Sequence, residues 1–182
     1  TMKSISTKYS LFGQVFVSRP FSLRKGDTLF VQGEEVTHLH IIEDGRIQLN
    51  RSAIDGTPTI LQVAMSQEII AEASLFSDAY HCSAVADRPS SGFSIVKQDL
   101  LNHMQSSSEA SMQMMKVFAQ QIRELRSLHE IRNIRSAKER ALAYFRLVCD
   151  KHGQVNLPMT LKDVAYRLGL SHESFYRTLK QL

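Results

Sequence analysis

Between Phe21 and Val96 apolar and polar residues alternate in short runs, such as Leu39-His40-Ile41-Ile42 and Ile47-Gln48-Leu49. Turn-forming residues interrupt the runs at Lys25-Gly26-Asp27, Gln32-Gly33-Glu34, Asp44-Gly45, Asp55-Gly56 and Arg88-Pro89-Ser90-Ser91-Gly92. A period of two between turns about ten residues apart predicts short strands closing into a sandwich or jelly roll. One helical turn is expected inside this region, around Glu72–Phe76.

From Glu109 to about Arg135 the period lengthens and neither Gly nor Pro occurs. Met115, Phe118, Ile122, Leu125, Leu128 and Ile131 recur at steps of three and four, predicting a single helix nearly 40 Å long at about 1.5 Å per residue. A small domain cannot cover so long a seam, which predicts a parallel coiled coil with a second copy, its front half also packing on the β region. Ser136-Ala137-Lys138-Glu139 has the form of a capping box and starts a further helix running to about Asp150, which puts a hinge at 133–136.

Residues 160–181 predict two short amphipathic helices joined by a tight turn. Thr160 caps the first, with Asp163 in the reciprocal position of a capping box, and Val164, Ala165 and Leu168 form its apolar face. Gly169 ends it, where a left-handed backbone is cheapest for glycine. Ser171 caps the second helix, with Phe175, Leu179 and Leu182 at core spacing. That spacing leaves His172, Glu173, Tyr176, Arg177 and Lys180 on the opposite face, side chains suited to base edges and phosphates. This layout is that of a helix-turn-helix whose second helix enters the DNA major groove.

Charge sharpens the picture. Residues 1–115 carry nine Lys/Arg against twelve Asp/Glu, while residues 116–182 carry thirteen against six. An acidic front and a basic back predict two modules, the second facing a polyanion. The apolar fraction of 43% and charged fraction of 22% are those of a globular protein, and no apolar run approaches a membrane span. Only Cys82 and Cys149 are present, too few for a disulfide framework, so a cytoplasmic protein without membrane contact is expected. Thr1 before Met2 has the look of an added residue.

A β-roll, a long helix and a helix-turn-helix in that order resemble the CRP/FNR family of bacterial transcription regulators. The local matches are Gly33-Glu34, Glu72-Ala73-Ser74-Leu75-Phe76, Glu139-Arg140 and residues 160–181. The resemblance implies an α+β chain: a double-stranded β-helix jelly roll of the cupin-like, cyclic-nucleotide-binding type over 1–108, a long dimerisation helix and hinge over 109–135, and a winged helix-turn-helix domain over 136–182. The wing of winged members is missing here, since the given sequence ends at Leu182, so that domain is expected to be C-terminally incomplete. It implies no enzyme but a homodimer that binds a near-palindromic operator on double-stranded DNA, acts with RNA polymerase, and is controlled by a small effector in the roll.

In cyclic-AMP-binding members a Gly-Glu…Arg-Ser cassette holds the ligand, glutamate accepting from the ribose hydroxyl while arginine and serine hold the phosphate. Here Glu72 and Ser83 match, the glycine is Ala71 and the arginine is Cys82. Ser74 and His81 lie within the cassette, and Leu125 and Arg126 align with long-helix residues that touch adenine. Losing the guanidinium removes a contact worth about 1.5–3 kcal/mol, so cyclic AMP is disfavoured as effector. His81-Cys82 would suit haem iron, but no second spaced ligand is evident, and neither haem nor any metal site is expected. By alignment Glu173 accepts from cytosine N4 and Arg177 donates to guanine O6/N7. His172 replaces an arginine that reads the outer guanine, Tyr176 occupies the variable position, and Thr160 and Lys180 are phosphate contacts.

Two other classes compete with this reading. One is a cyclic-nucleotide-type regulatory module acting through protein rather than DNA contacts. The other is a cupin-type enzyme using His38 and His40 as metal ligands, for which no further Glu and His fit the spacing.

Overall fold

The computed structural model describes residues 7–52, 58–155, 157 and 159–182, the side chains of Thr7 and Pro58 excepted. The Asp55-Gly56 turn signal lies outside the described residues. The chain divides into two compact units, with the boundary between Gln113 and Met114.

The first unit is built from two antiparallel sheets. Its strands are β1 (Thr7–Leu11), β2 (Gln14–Leu23), β3 (Thr28–Phe30), β4 (His38–Asp44), β5 (Arg46–Ser52), β6 (Pro58–Met65), β7 (Ile69–Ile70), β8 (Ser83–Ala86) and β9 (Ser90–Val96). One sheet has the order β1-β2-β9-β4-β7 and the other β3-β8-β5-β6. Alternation drives this arrangement: along β5, Ile47 and Leu49 are buried while Gln48 and Asn50 are half-buried. Inward side chains of both sheets, among them Phe30, Ile42, Ile47, Leu49, Ala64, Ile70 and Ala84, form one cluster. The β4–β5 turn needs glycine twice over, because Gly45 has φ +105° and a Cβ there would collide with Ser90. Ser90 Oγ accepts from the Arg46 N–H at 2.9 Å, and Arg46 pairs with Asp87 beside it.

Two helices follow. α1 (Lys97–Ser106), which the apolar pattern does not predict, ends at Ser107, and α2 (Ser108–Asn133) crosses the boundary between the units. The apolar seam of α2 divides along its length. Met115, Ile122 and Leu125 are 52%, 47% and 65% exposed, whereas Ile131 is buried and Leu128 packs beside it in the second unit's own core.

That core is completed by α3 (Ala137–Val148), α4 (Leu161–Arg167) and α5 (His172–Leu179). Tyr144, Val164, Ala165, Leu168 and Phe175 are fully buried there, and the Phe145 and Phe175 rings lie 6.3 Å apart. Two expectations need correction. Ser136 caps α3 by accepting from the Glu139 N–H at 3.3 Å, but among the described residues the return bond of a capping box is not made. Leu182 is exposed, because α5 ends at Leu179 and its inner face is filled by Phe175 and Thr178.

Candidate functional site

The pair α4–α5 is fixed by local sequence chemistry. Thr160 accepts from the Asp163 N–H while Asp163 returns to the Thr160 N–H at 3.1 Å, a complete capping box. At the other end Gly169 adopts φ +64°, its N–H bonds the Tyr166 carbonyl, and the Leu170 N–H bonds the Ala165 carbonyl. Those two bonds make a Schellman closure, which a residue with a Cβ enters only at a cost. Ser171 then opens α5 by accepting from the Ser174 N–H at 3.1 Å.

With Phe175 and Thr178 turned inward, His172, Glu173, Tyr176 and Arg177 stand exposed on α5, and Lys180, its C-cap, is exposed just beyond it. The His172 and Tyr176 rings lie 4.3 Å apart, so two of the five form one aromatic surface. Burial of Thr178 is not signalled by hydropathy; its hydroxyl donates to the Ser174 carbonyl at 2.8 Å, which makes it acceptable inside. Thr160 is placed less favourably than expected for a phosphate contact. Its hydroxyl donates to Asp163 Oδ2 at 2.6 Å, and that carboxylate already occupies the helix N-terminus.

In the roll, the cassette lies on a 3-10 turn (Glu72–Ser74) and the start of β8. Ala71 has φ +71°, a strained position for a residue with a side chain. Glu72, Ser74 and Cys82 are buried, Ser83 is half-buried and His81 is exposed. Ser74 Oγ lies 2.9 Å from His81 Nδ1 and accepts from the His81 N–H at 3.2 Å. Ser83 Oγ accepts from the Gln32 N–H at 2.9 Å.

Neither residue at 81–82 brings charge to the cassette. Burial pushes the Cys82 thiol up to about 11, with Glu72 acting in the same direction and Arg51 against it. Burial, and then Arg51, lower His81 below the usual imidazole range. Arg51 is thus the cation that acts on both groups. It continues the inward row of Ile47 and Leu49 at the exposed end of β5, next to Asn50, which pairs with Ser83. Sequence alignment alone misses it, because the charge comes from a different strand. Leu125 and Arg126 lie in the second unit and are exposed on α2.

His40, considered above as a metal ligand, is a buried member of the roll. Its Nδ1 lies 2.8 Å from Ser94 Oγ, and its ring stacks on Phe30 with centroids 5.3 Å apart. Burial, reinforced by the His38 charge, pushes its pKa down to about 3. Among the described residues no group of three His, Cys, Asp or Glu is placed to hold a metal ion, and no helix is long and apolar enough to cross a membrane.

Residues 20–107 match the cyclic nucleotide-binding domain family. No curated protein sequence matches the chain. Among solved structures, FixK2 from Bradyrhizobium japonicum superposes with a TM-score of 0.73 at 20% identity, covering 91% of this chain and 84% of its own. The catabolite activator protein of Thermus thermophilus gives a TM-score of 0.53 at 22% identity, covering 91% and 78%. DNR from Pseudomonas aeruginosa gives 0.54 at 24% identity, covering 91% and 75%. Residues 20–107 thus match the cyclic nucleotide-binding domain, and the chain as a whole shares the fold of these three solved proteins.

Proposed function

We propose that the chain is a sequence-specific DNA-binding transcription regulator whose reading helix is α5. The observation that carries this is the exposed row His172, Glu173, Tyr176, Arg177 and Lys180 on a doubly capped helix pair. It lies in the part of the chain where Lys and Arg outnumber Asp and Glu by thirteen to six. In this reading Arg177 donates to guanine, Glu173 accepts from cytosine, Ser171 and Lys180 meet phosphates, and the His172–Tyr176 surface meets a thymine methyl or sugar.

The exposed stripe Met115, Ile122 and Leu125 on α2 supports a homodimer, which a two-fold reader of a palindrome needs. The roll is the effector-sensing part, around Glu72, Ser74 and Ser83 with Arg51 as its cation. RNA polymerase is the downstream partner that such a regulator addresses.

Selection from a pool of randomised duplexes tests the reading. Near-palindromic sequences with half-sites about one helical turn apart should be enriched. Retention of all sequences alike would leave only unspecific polyanion binding and refute it.

A further inference from the structure

Two guanidinium groups converge on the turn between α4 and α5. Arg140, on α3, donates from Nε at 3.0 Å and Nη2 at 2.7 Å to the carbonyl of Ile134, the residue that follows α2. Its Nη1 donates to the Leu168 carbonyl at 2.9 Å and approaches that of Gly169 at 3.4 Å. Arg132, in the last turn of α2, lies across the same turn. A Cβ on Gly169 would sit 3.2 Å from Arg132 Nε and 3.4 Å from Nη2.

The carbonyls that Arg140 holds are those that helices leave open at their C-terminal ends. One planar fork satisfies the end of α2 and the end of α4 together, which a lysine ammonium on its single flexible stem cannot match. Helices of seven and eight residues such as α4 and α5 take their pose from tertiary ties rather than from their own propensity. The held segment Leu168–Gly169 runs directly into Ser171, whose side chain begins α5.

We propose that Arg140, with Arg132 packed over Gly169, is the positioning residue that ties the end of α2 to the α4–α5 turn leading into α5. The orientation of the reading helix then follows that of the long helix. This inference rests on the DNA-reading role proposed above and assigns Arg140 no contact with DNA itself.

The test uses the full chain with Arg140→Met and Arg140→Lys, and two duplexes, one enriched by the unsubstituted chain and one unrelated. Arg140→Met should weaken the enriched duplex about tenfold and leave the unrelated duplex within about twofold. Amide hydrogen exchange at Leu170–Ser174 should quicken while that around Tyr144 in α3 stays slow. Arg140→Lys keeps the charge but loses the fork, and should behave like the methionine variant. Equal weakening on both duplexes, or full recovery in Arg140→Lys, would overturn the tie in favour of a simple charge or stability effect. If the unsubstituted chain enriches no duplex, the DNA reading fails, and exchange alone decides the tie: quickening at Leu170–Ser174 in Arg140→Met upholds it, and unchanged exchange refutes it.

Discussion

Cys82 is a buried thiol held near 11, so at neutral pH it is an uncharged group where the sequence resemblance leads one to expect a phosphate-holding arginine. Cyclic AMP should therefore show no low-micromolar binding by calorimetry with the nucleotide at millimolar concentration. A low-micromolar dissociation constant would contradict this, and its loss in Arg51→Ala would identify the cation responsible. His40 yields a separate residue-scale prediction. Its folded pKa of about 3 lies below the unfolded value near 6.5, so the unfolded chain binds the proton first as pH falls. Stability from the neutral, buried ring is fully present above pH 6.5 and is lost toward pH 3, by about 1.4 kcal/mol per pH unit within that window. His38 and His81, also lowered by burial, act in the same direction. Chemical denaturation between pH 4 and 7 should show a shallower acid loss in His40→Gln than in the unsubstituted chain. Identical slopes would mean that the ring is not buried neutral.

At the scale of elements, α2 has an exposed apolar stretch and a core stretch that its heptad-like spacing does not separate. Met115, Ile122 and Leu125 are exposed in the single chain, while Leu128 and Ile131 belong to the core of the second unit. Glutamate at Ile122 and Leu125 together should give folded monomers by light scattering. Glutamate at Ile131 should instead unfold the second unit, because it buries a charge without a partner. An unchanged mass in the first variant would mean that the exposed stripe does not hold two copies together. Which elements can be read from the chain follows from the same physics. The strands around Ile47 and Leu49 and the caps at Thr160 and Ser171 are legible because each rests on local alternation or a local hydrogen bond. α1 is not, since Leu100 is its one fully buried residue and no apolar stripe marks it. Leu182 misleads because a three-residue step says nothing of where the helix stops.

Across the whole molecule, the proposed function assigns the acidic front and basic back unlike tasks, sensing in a roll and contact with a polyanion. The exposed row on α5 can be read from periodicity alone, since burying Phe175 dictates which side chains face out. Arg51 and Arg140 cannot be read that way. Arg51 acts on Cys82 from β5, and Arg140 reaches a carbonyl twenty-eight positions away, so both depend on tertiary structure. The most direct test of the account is a gel-shift titration of Arg177→Ala and Lys180→Ala on the enriched duplex and a scrambled one, at several salt concentrations. Arg177→Ala should cost about 1–3 kcal/mol on the enriched duplex alone and relax preference at one guanine per half-site. Lys180→Ala should weaken both duplexes alike and lower the salt slope by about 1. Equal weakening of both duplexes by Arg177→Ala, with no base position relaxed, would contradict the assignment of α5 as the helix that reads sequence.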